Sequence, residues 1–364
     1  MTRTHDTAGD VRWMRRALEL ARRGLGNASP NPYVGCVIVK NGRPVGEGAH
    51  VRFGGPHAEV NALRRAGRLA AGATLYANLE PCRHWGKTPP CADAIIGAGI
   101  RKVVAAMPDP NPLTRGGGFR AMRRAGITVR SGICRREAEE LNRSFIKFMT
   151  KKKPYVFLKS AVSLDGKIAA PSGESRWITS EKSRRYVHRL RGAVDAVLVG
   201  GATVRRDDPS LTSHGQGRDP VRIVLSASGR IPRGSKVLDG AAPTWILHAG
   251  RARPRPGRAE WIRMPSRGGK IPYESAARLL AGRGISRLLI EGGGETAAWA
   301  LEAGEVDEAV FFIAPVFIGG RRAPTSVAGK GCLSLRGARR LEFRELVRLG
   351  PDILVRARAA ARAA

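Results

Sequence analysis

Four residues in the first third of the chain have types and spacing that could do chemistry. They stand in Pro56-His57-Ala58-Glu59, in Glu80-Pro81-Cys82 and at Cys91. One imidazole and two thiolates form a set that zinc takes readily, with a fourth position left for water. Three protein ligands and one open position make the pattern of a catalytic metal, not of a closed structural one. Glu59 follows His57 by two residues. At a helix N-terminus that offset lets the carboxylate face the same water without ligating the metal. It can then take the water's proton and return it to a leaving amine.

A weaker signal lies in the second half. Leu288 to Thr296, LLIEGGGET, reads as a strand, a glycine turn and a helix start. Backbone N–H groups at that helix end suit a pyrophosphate. The string is not G-x-G-x-x-G, so a Rossmann fold is not expected. Val197 to Gly201 is an apolar strand ending in Gly-Gly, where a backbone can approach a ligand closely. Lys159 interrupts an otherwise apolar strand, and a buried ammonium is costly without a partner.

Each residue also has a plain reading. His57 can cap a helix, Cys82 and Cys91 can be buried thiols, and a triple glycine can be only a turn. Cys36 sits in an apolar run and reads as core, while Cys134 and Cys332 read as structural. His84, two residues after Cys82, is a rival ligand or a group aimed at substrate.

Elements of alternating type surround these residues. Asp10 is placed to cap a helix running to about Arg23. Strands are expected at Val34–Val39, Thr74–Asn78 and Arg101–Ala106, and helices at Ala58–Ala66, Cys91–Gly97, Gly118–Ala125 and Arg135–Met149. Lys151-Lys152-Lys153-Pro154 then marks a seam, since proline disfavours helix in the residue before it. The expected domains are 1–150 and 151–364. In the second, strands are expected at Tyr155–Lys159, Val194–Val199, Val221–Leu225, Thr244–His248 and Leu288–Ile290. Helices are expected at Glu181–Arg191, Tyr273–Gly282 and Thr296–Ala303. Residues 250–270 read as loop, apart from a short strand at Trp261–Met264. The terminal ARAAARAA reads as frayed. Alternation of this kind argues layered α/β domains.

The chain has 364 residues, 42% apolar and 26% charged, which suits a two-domain globular protein. The longest apolar run, Ala309 to Ile318, contains a proline and is half the length of a membrane span. With no signal-peptide pattern at the N-terminus, the expected compartment is the cytoplasm. Five cysteines do not make a disulfide framework. The net charge is +34, of which +14 falls in residues 1–150 and +20 in 151–364. That excess suits a phosphate-bearing partner. Few aromatics and no long basic run argue against nucleic acid.

Zinc nucleobase deaminases carry H-x-E followed by P-C-x-x-C. Here the first half matches, whereas RHWGKTPP separates Cys82 from Cys91. Together, EPCRHWGKTPPC, SPNPYVGCVIV, GGPHAEVNAL and PDPNP resemble the deaminase half of the bifunctional riboflavin-biosynthesis deaminase/reductase family, whose own variant is that insertion. The resemblance implies His57, Cys82 and Cys91 as zinc ligands and Glu59 as proton shuttle. It also implies that the loop 83–90 shapes a pocket for a phosphoribosylated pyrimidine.

SLDGKIA, SGESRWIT, GATVRRDDPSLT and IEGGGE resemble the reductase half of the same family. The implied architecture is a cytidine-deaminase-like α/β/α domain followed by a dihydrofolate-reductase-like α/β domain. The implied NADPH positions are Ala161, Trp177, Thr203, Asp207, Gly293, Gly294, Glu295, Thr296, Ala297, Ala298 and Trp299. The implied substrate positions are Ser175, Arg191, Leu211 and Glu291, with Lys159 and His214 added to them. Arg191 suits a phosphate because a guanidinium offers a bidentate fork. Where the family commonly has a second phosphate-contacting arginine, this chain has His214, and Arg218 is the candidate replacement. Further departures are Leu225-Ser226-Ala227, where an aspartate is usual, and Leu113-Thr114-Arg115 after PDPNP.

The expected enzyme deaminates a diaminopyrimidine carrying ribosylamine 5-phosphate, then reduces the ribosyl group with NADPH. Its expected partners are that substrate and a second copy of the chain in a homo-oligomer. Membrane and nucleic acid are not expected. Two other readings stay open: a deaminase for a tRNA base or free cytosine with a silent reductase domain, and a basic RNA- or ribosome-associated protein.

Overall fold

An apolar, β-branched run begins the first sheet. The computed structural model describes residues 8–85, 89–112, 114–250, 257 and 259–360, and divides into units Met1–Lys152 and Lys153–Ala364. In the first, α1 (Ala8–Ala21) precedes β1 (Gly35–Lys40) and β2 (Arg43–Ala49). Asn41 and Gly42, both at positive φ, close the two-residue turn between these strands. Then follow α2 (Ala58–Ala66), β3 (Thr74–Ala77), α3 (Cys91–Gly97), β4 (Lys102–Ala105), α4 (Gly117–Arg124), β5 (Thr128–Ser131), α5 (Arg135–Leu141) and α6 (Arg143–Lys151). The sheet order is β2-β1-β3-β4-β5, with β3, β4 and β5 parallel.

Glycine sets how closely α2 approaches the sheet. A Cβ on Gly48 would lie 2.1 Å from the Ala58 carbonyl oxygen, so β2 accepts the first turn of α2 only without a side chain there. That close approach places the N-terminus of α2, with His57 and Glu59, over the sheet.

Two expectations in this unit need correction. Asp10 does not cap α1 but lies inside it, buried. Its carboxylate accepts from Tyr76 Oη at 2.7 Å and Arg130 Nη1 at 2.9 Å. These partners on β3 and β5 draw it away from the helix end. The helix expected over Arg135–Met149 is two helices. Asn142 breaks it, because its Oδ1 accepts from the Tyr33 N–H and its Nδ2 donates to the Tyr33 carbonyl.

The second unit contains β6 (Tyr155–Ser163), α7 (Glu181–Gly192), β7 (Ala196–Gly200), α8 (Gly201–Asp207), β8 (Val221–Leu225), β9 (Thr244–His248) and β10 (Ala259–Arg263). After these come α9 (Tyr273–Gly282), β11 (Arg287–Glu291), α10 (Gly294–Glu302), β12 (Glu308–Ala314), β13 (Leu341–Leu349) and β14 (Asp352–Ala359). The sheet, nine strands among the described residues, runs β10-β9-β8-β7-β11-β6-β12-β14-β13. From β10 to β12 every pairing is parallel; β14 and β13 add antiparallel. Parallel strands buried on both faces read as continuous apolar runs, as Ala196–Val199 does. Helices α9 and α10 cover one face, α7 and α8 the other.

The C-terminal expectation is also corrected. Ala357 pairs with Ala309 of β12 and Phe343 of β13, so the low-complexity tail starts inside a sheet; residues 361–364 lie outside the described residues. Of the expected loop 250–270, residues 251–256 and 258 do as well. Among the described residues, no helix is long and apolar enough to cross a membrane.

Candidate active sites

In the first unit, three chain segments converge. His57 sits at the N-cap position of α2, Cys82 follows β3, and Cys91 begins α3. His57 Nδ1 lies 3.1 Å from Cys91 Sγ and 3.6 Å from Cys82 Sγ. All three donor atoms fall within 4.8 Å of one another. Tetrahedral zinc, with bonds of about 2.0–2.3 Å, spaces its ligand atoms about 3.6–3.8 Å apart. The His57–Cys82 distance matches that spacing, the His57–Cys91 distance is about half an ångström shorter, and the donor set is one that zinc takes.

The electrostatics suit a cation. A hydrogen bond from Cys91 pulls the Cys82 thiol down to about 4 despite burial, with His57 assisting. The Cys91 backbone N–H also donates to Cys82 Sγ at 3.4 Å. The hydrogen bond to Cys82, together with burial, pushes the Cys91 thiol up. Glu59 is 4% exposed, and burial pushes its carboxyl up to about 7.

The pocket beside this cluster holds about 190 Å³, roughly six water volumes at ~30 Å³ each. Asn31, His50, His84, Asp109 and Asn111 line it along with His57, Glu59 and Cys82. His50 Nδ1 donates to the Pro56 carbonyl at 3.0 Å, leaving Nε2 to accept from Asn31 at 3.1 Å. Burial lowers the His50 pKa, consistent with that neutral tautomer. Glu80 braces the far wall. Its carboxylate accepts backbone N–H bonds from Asp109, Gly116 and Phe119 at 3.0–3.1 Å.

In the second unit a larger cleft, about 670 Å³, opens at the carboxyl ends of β6, β7 and β11. Parallel register sets Lys159 beside Glu291. Arg191, in the last turn of α7, holds Glu291 by a fork: Nε to Oε1 at 2.7 Å and Nη2 to Oε2 at 3.1 Å. Burial alone would raise the Glu291 pKa, but Arg191 and Lys159 outweigh it and the net shift is downward. Burial lowers the Lys159 pKa, only partly offset by Glu291 at 3.8 Å.

Backbone geometry beside this triad fits a dinucleotide. Gly292 has φ +108°, and a Cβ there would lie 3.0 Å from Thr203 Oγ1. The turn is therefore open only to glycine, and it leads into the N-terminus of α10, a natural pyrophosphate seat. A second cleft of about 410 Å³ lies along α10, lined by Glu295, Thr296, Ala298 and Trp299.

Comparison with known proteins follows the same division. Residues 8–107 match the family described as cytidine and deoxycytidylate deaminase zinc-binding region, and residues 154–355 match the RibD C-terminal domain. Riboflavin biosynthesis protein RibD of Bacillus amyloliquefaciens is 44% identical over 352 residues, covering 94% of each chain. The chain belongs to the RibD family. Its Escherichia coli relative of that name is 41% identical, covering 94% of this chain and 98% of its own. The structure of Acinetobacter baumannii RibD superimposes with a TM-score of 0.90 at 37% identity, covering 98% of this chain and all of that one. Like the family, the chain is a bifunctional riboflavin-biosynthesis enzyme, with a zinc-dependent deaminase domain and an NADPH-dependent, dihydrofolate-reductase-like domain.

Within this chain the structure gathers most of the expected residues. Lys159, Ser175, Arg191, Leu211, His214 and Glu291 all line the large cleft, as do Ala161, Trp177, Thr203, Asp207 and Gly293. Ser175 Oγ donates to Asp207 at 3.1 Å, joining the two sets. Gly294 and Ala297 line neither cleft; a Cβ on Gly294 would meet the Thr325 carbonyl oxygen at 2.6 Å, so that glycine serves packing. Arg218 is outside the cleft lining and pairs with Asp195 at 3.2 Å. Residues 86–88 of the expected pocket loop lie outside the described residues. Sequence reasoning missed Asn31, His50, Asp109 and Asn111. Three of these stand in or beside the SPNP and PDPNP strings, which marked the family without marking the residues.

Proposed function

We propose that His57, Cys82 and Cys91 hold the zinc, and that Glu59 carries the proton in deamination of 2,5-diamino-6-(5-phosphoribosylamino)pyrimidin-4-one. The convergence of His57, Cys82 and Cys91 beside buried Glu59 carries this reading. Zinc held by His57, Cys82 and Cys91 would supply Lewis acidity that makes the attacking water more acidic. Glu59 takes a proton from the attacking water as oxygen bonds to C2. It then delivers that proton to the amine, the C2–N bond breaks, and ammonia leaves. One positioned carboxyl can serve both transfers. Metal analysis of the whole protein tests the ligand set. One zinc per chain is expected, falling to near zero in Cys82→Ser with Cys91→Ser. Full zinc in that double variant would overturn the assignment.

NADPH supplies the hydride that reduces the ribosyl C1. As the bond from C1 to the ring oxygen breaks, that oxygen needs a proton, and Lys159 is the acid the cleft offers. Its lowered pKa favours giving the proton up. Arg191 keeps Glu291 ionised and fixed rather than presenting its fork to phosphate.

A homo-oligomer is supported by one uncovered face. Phe311 and Ile313 on β12 align with Val355 and Ile353 on β14, and Val355 with Leu346 on β13. Phe343, paired with Ala357, extends the stripe; Phe343 and Leu346 are 71% and 62% exposed. A patch of that kind marks an association surface, and a second copy is the partner we assign to it. Phe343→Glu with Leu346→Glu is expected to halve the mass seen by light scattering, or reduce it further. A monomeric parent would contradict the assignment. The free state of all five cysteines supports a reducing compartment such as the cytoplasm.

A further inference from the structure

Two stretches of chain far apart in sequence line the pocket beside the metal cluster. Asn31, Pro32 and Val34 come from the segment leading into β1, and Phe145 and Met149 from α6. The ladders of β1 begin only at Gly35. At Tyr33, just before them, two buried carboxamides take over. Asn78, immediately after β3, accepts from the Gly35 N–H at 2.8 Å and donates to the Tyr33 carbonyl at 2.9 Å. Asn142 accepts from the Tyr33 N–H at 2.8 Å and donates to the same carbonyl at 3.0 Å.

Asn78 and Asn142 are 0% and 1% exposed. A carboxamide is costly to bury unless its donor and acceptor are both used, and here both are. Asn142 differs from Asn78 in fixing the second stretch as well. It stands where the chain leaves α5 and enters α6, its N–H bonded to the Ala138 carbonyl and its carbonyl to the Ile146 N–H. Phe145 and Met149 follow it by three and seven residues, on the same helix face. The side chain that grips Tyr33 therefore also sets where α6 starts and where its two pocket residues fall. From Tyr33 the contacts continue toward the metal ligands. Asn31, two residues earlier, donates from Nδ2 to His50 Nε2 at 3.1 Å, and His50 Nδ1 donates to the carbonyl of Pro56, the neighbour of His57.

We propose that Asn142 is a positioning residue for deamination. One carboxamide, acting through the Tyr33 backbone and through the start of α6, sets the distance between the two stretches that hold the pyrimidine. This rests on the deaminase reading of the pocket given above. Asn142 does not itself line that pocket, so its effect reaches the substrate through Asn31, Pro32, Phe145 and Met149. The zinc ligands and Glu59 sit on α2, on α3 and after β3, none of which Asn142 bonds. Its loss is therefore a loss of substrate binding more than of turnover.

The test uses the full chain and the diaminopyrimidine ribosylamine phosphate, with initial rates of ammonia release read against substrate concentration. In Asn142→Ala the KM for deamination is expected to rise about 10- to 100-fold, as misplacing a binding surface by about 1 Å does. Its kcat is expected to fall less than about threefold. Zinc content and reduction of supplied deaminated product are expected to stay at the parent level. Asn142→Asp keeps the side chain's shape and its acceptor for the Tyr33 N–H, and the same direction of change is expected there. Asn31→Ala is expected to raise KM too. Combined with Asn142→Ala it is expected to raise KM less than the product of the two single effects, because both act on one surface. Multiplicative effects, or a parent KM in zinc-loaded Asn142→Ala, would overturn the proposal. So would loss of zinc in both Asn142 variants, which would make the residue one of folding alone. A parent chain that releases no ammonia would instead contradict the deaminase reading itself.

Discussion

Glu59→Gln is expected to lower ammonia release by about 10²–10⁴-fold, the usual contribution of a positioned acid–base group. The amide keeps the side chain's shape but cannot carry a proton between water and amine. Glu59 is buried at the first turn of α2. A neutral isostere there removes the cost of burying a carboxylate, so folding is not expected to suffer. His57, Cys82 and Cys91 are untouched, and zinc content is expected to stay at the parent level. Reduction of supplied deaminated product is expected to continue at the parent rate, because that cleft draws its residues from Lys159 to Ser326. Loss of both activities in a folded, zinc-loaded variant would contradict two independent sites.

Lys159→Met should do the converse. Its expected effect is a fall of about 10²–10⁴-fold in NADPH oxidation with deaminated substrate, while ammonia release continues. Stability works in favour of this variant. The folded state lowers the Lys159 pKa, so at neutral pH folding disfavours the charged ammonium. An apolar side chain of similar length removes that penalty and leaves the Arg191–Glu291 fork in place. A pH profile separates proton donation from substrate positioning. If Lys159 is the acid, the parent kcat falls as pH rises through its pKa, and that limb vanishes in Lys159→Met. An unchanged kcat with a raised KM would make Lys159 a binding residue instead.

The metal cluster could be read from sequence because zinc demands particular atoms, and few other roles demand histidine, cysteine and cysteine together. Elements with strong periodicity were equally legible: α2, α3, β8, β9 and α9 have the expected bounds. What could not be read depends on distant partners. The break at Asn142 is set by Tyr33, 109 residues away. Asp10 is drawn by Tyr76 and Arg130 across the sheet. The fork of Arg191 closes on Glu291, 100 residues away, and Arg218 is taken by Asp195. A charge in a sequence offers a contact without naming its partner. The β1–β2 hairpin is a different case. Asn41-Gly42 is a strong turn signal, yet β2 reads RPVGEGA, and its glycines and proline hide a strand that pairing with β1 sustains.

The most direct measurement is one cuvette holding the purified chain, zinc, NADPH and the diaminopyrimidine ribosylamine phosphate, with ammonia and NADPH absorbance followed together. The account predicts ammonia release accompanied by NADPH oxidation, reaching equal amounts. Ammonia without NADPH loss, or neither signal from zinc-loaded protein, would contradict it.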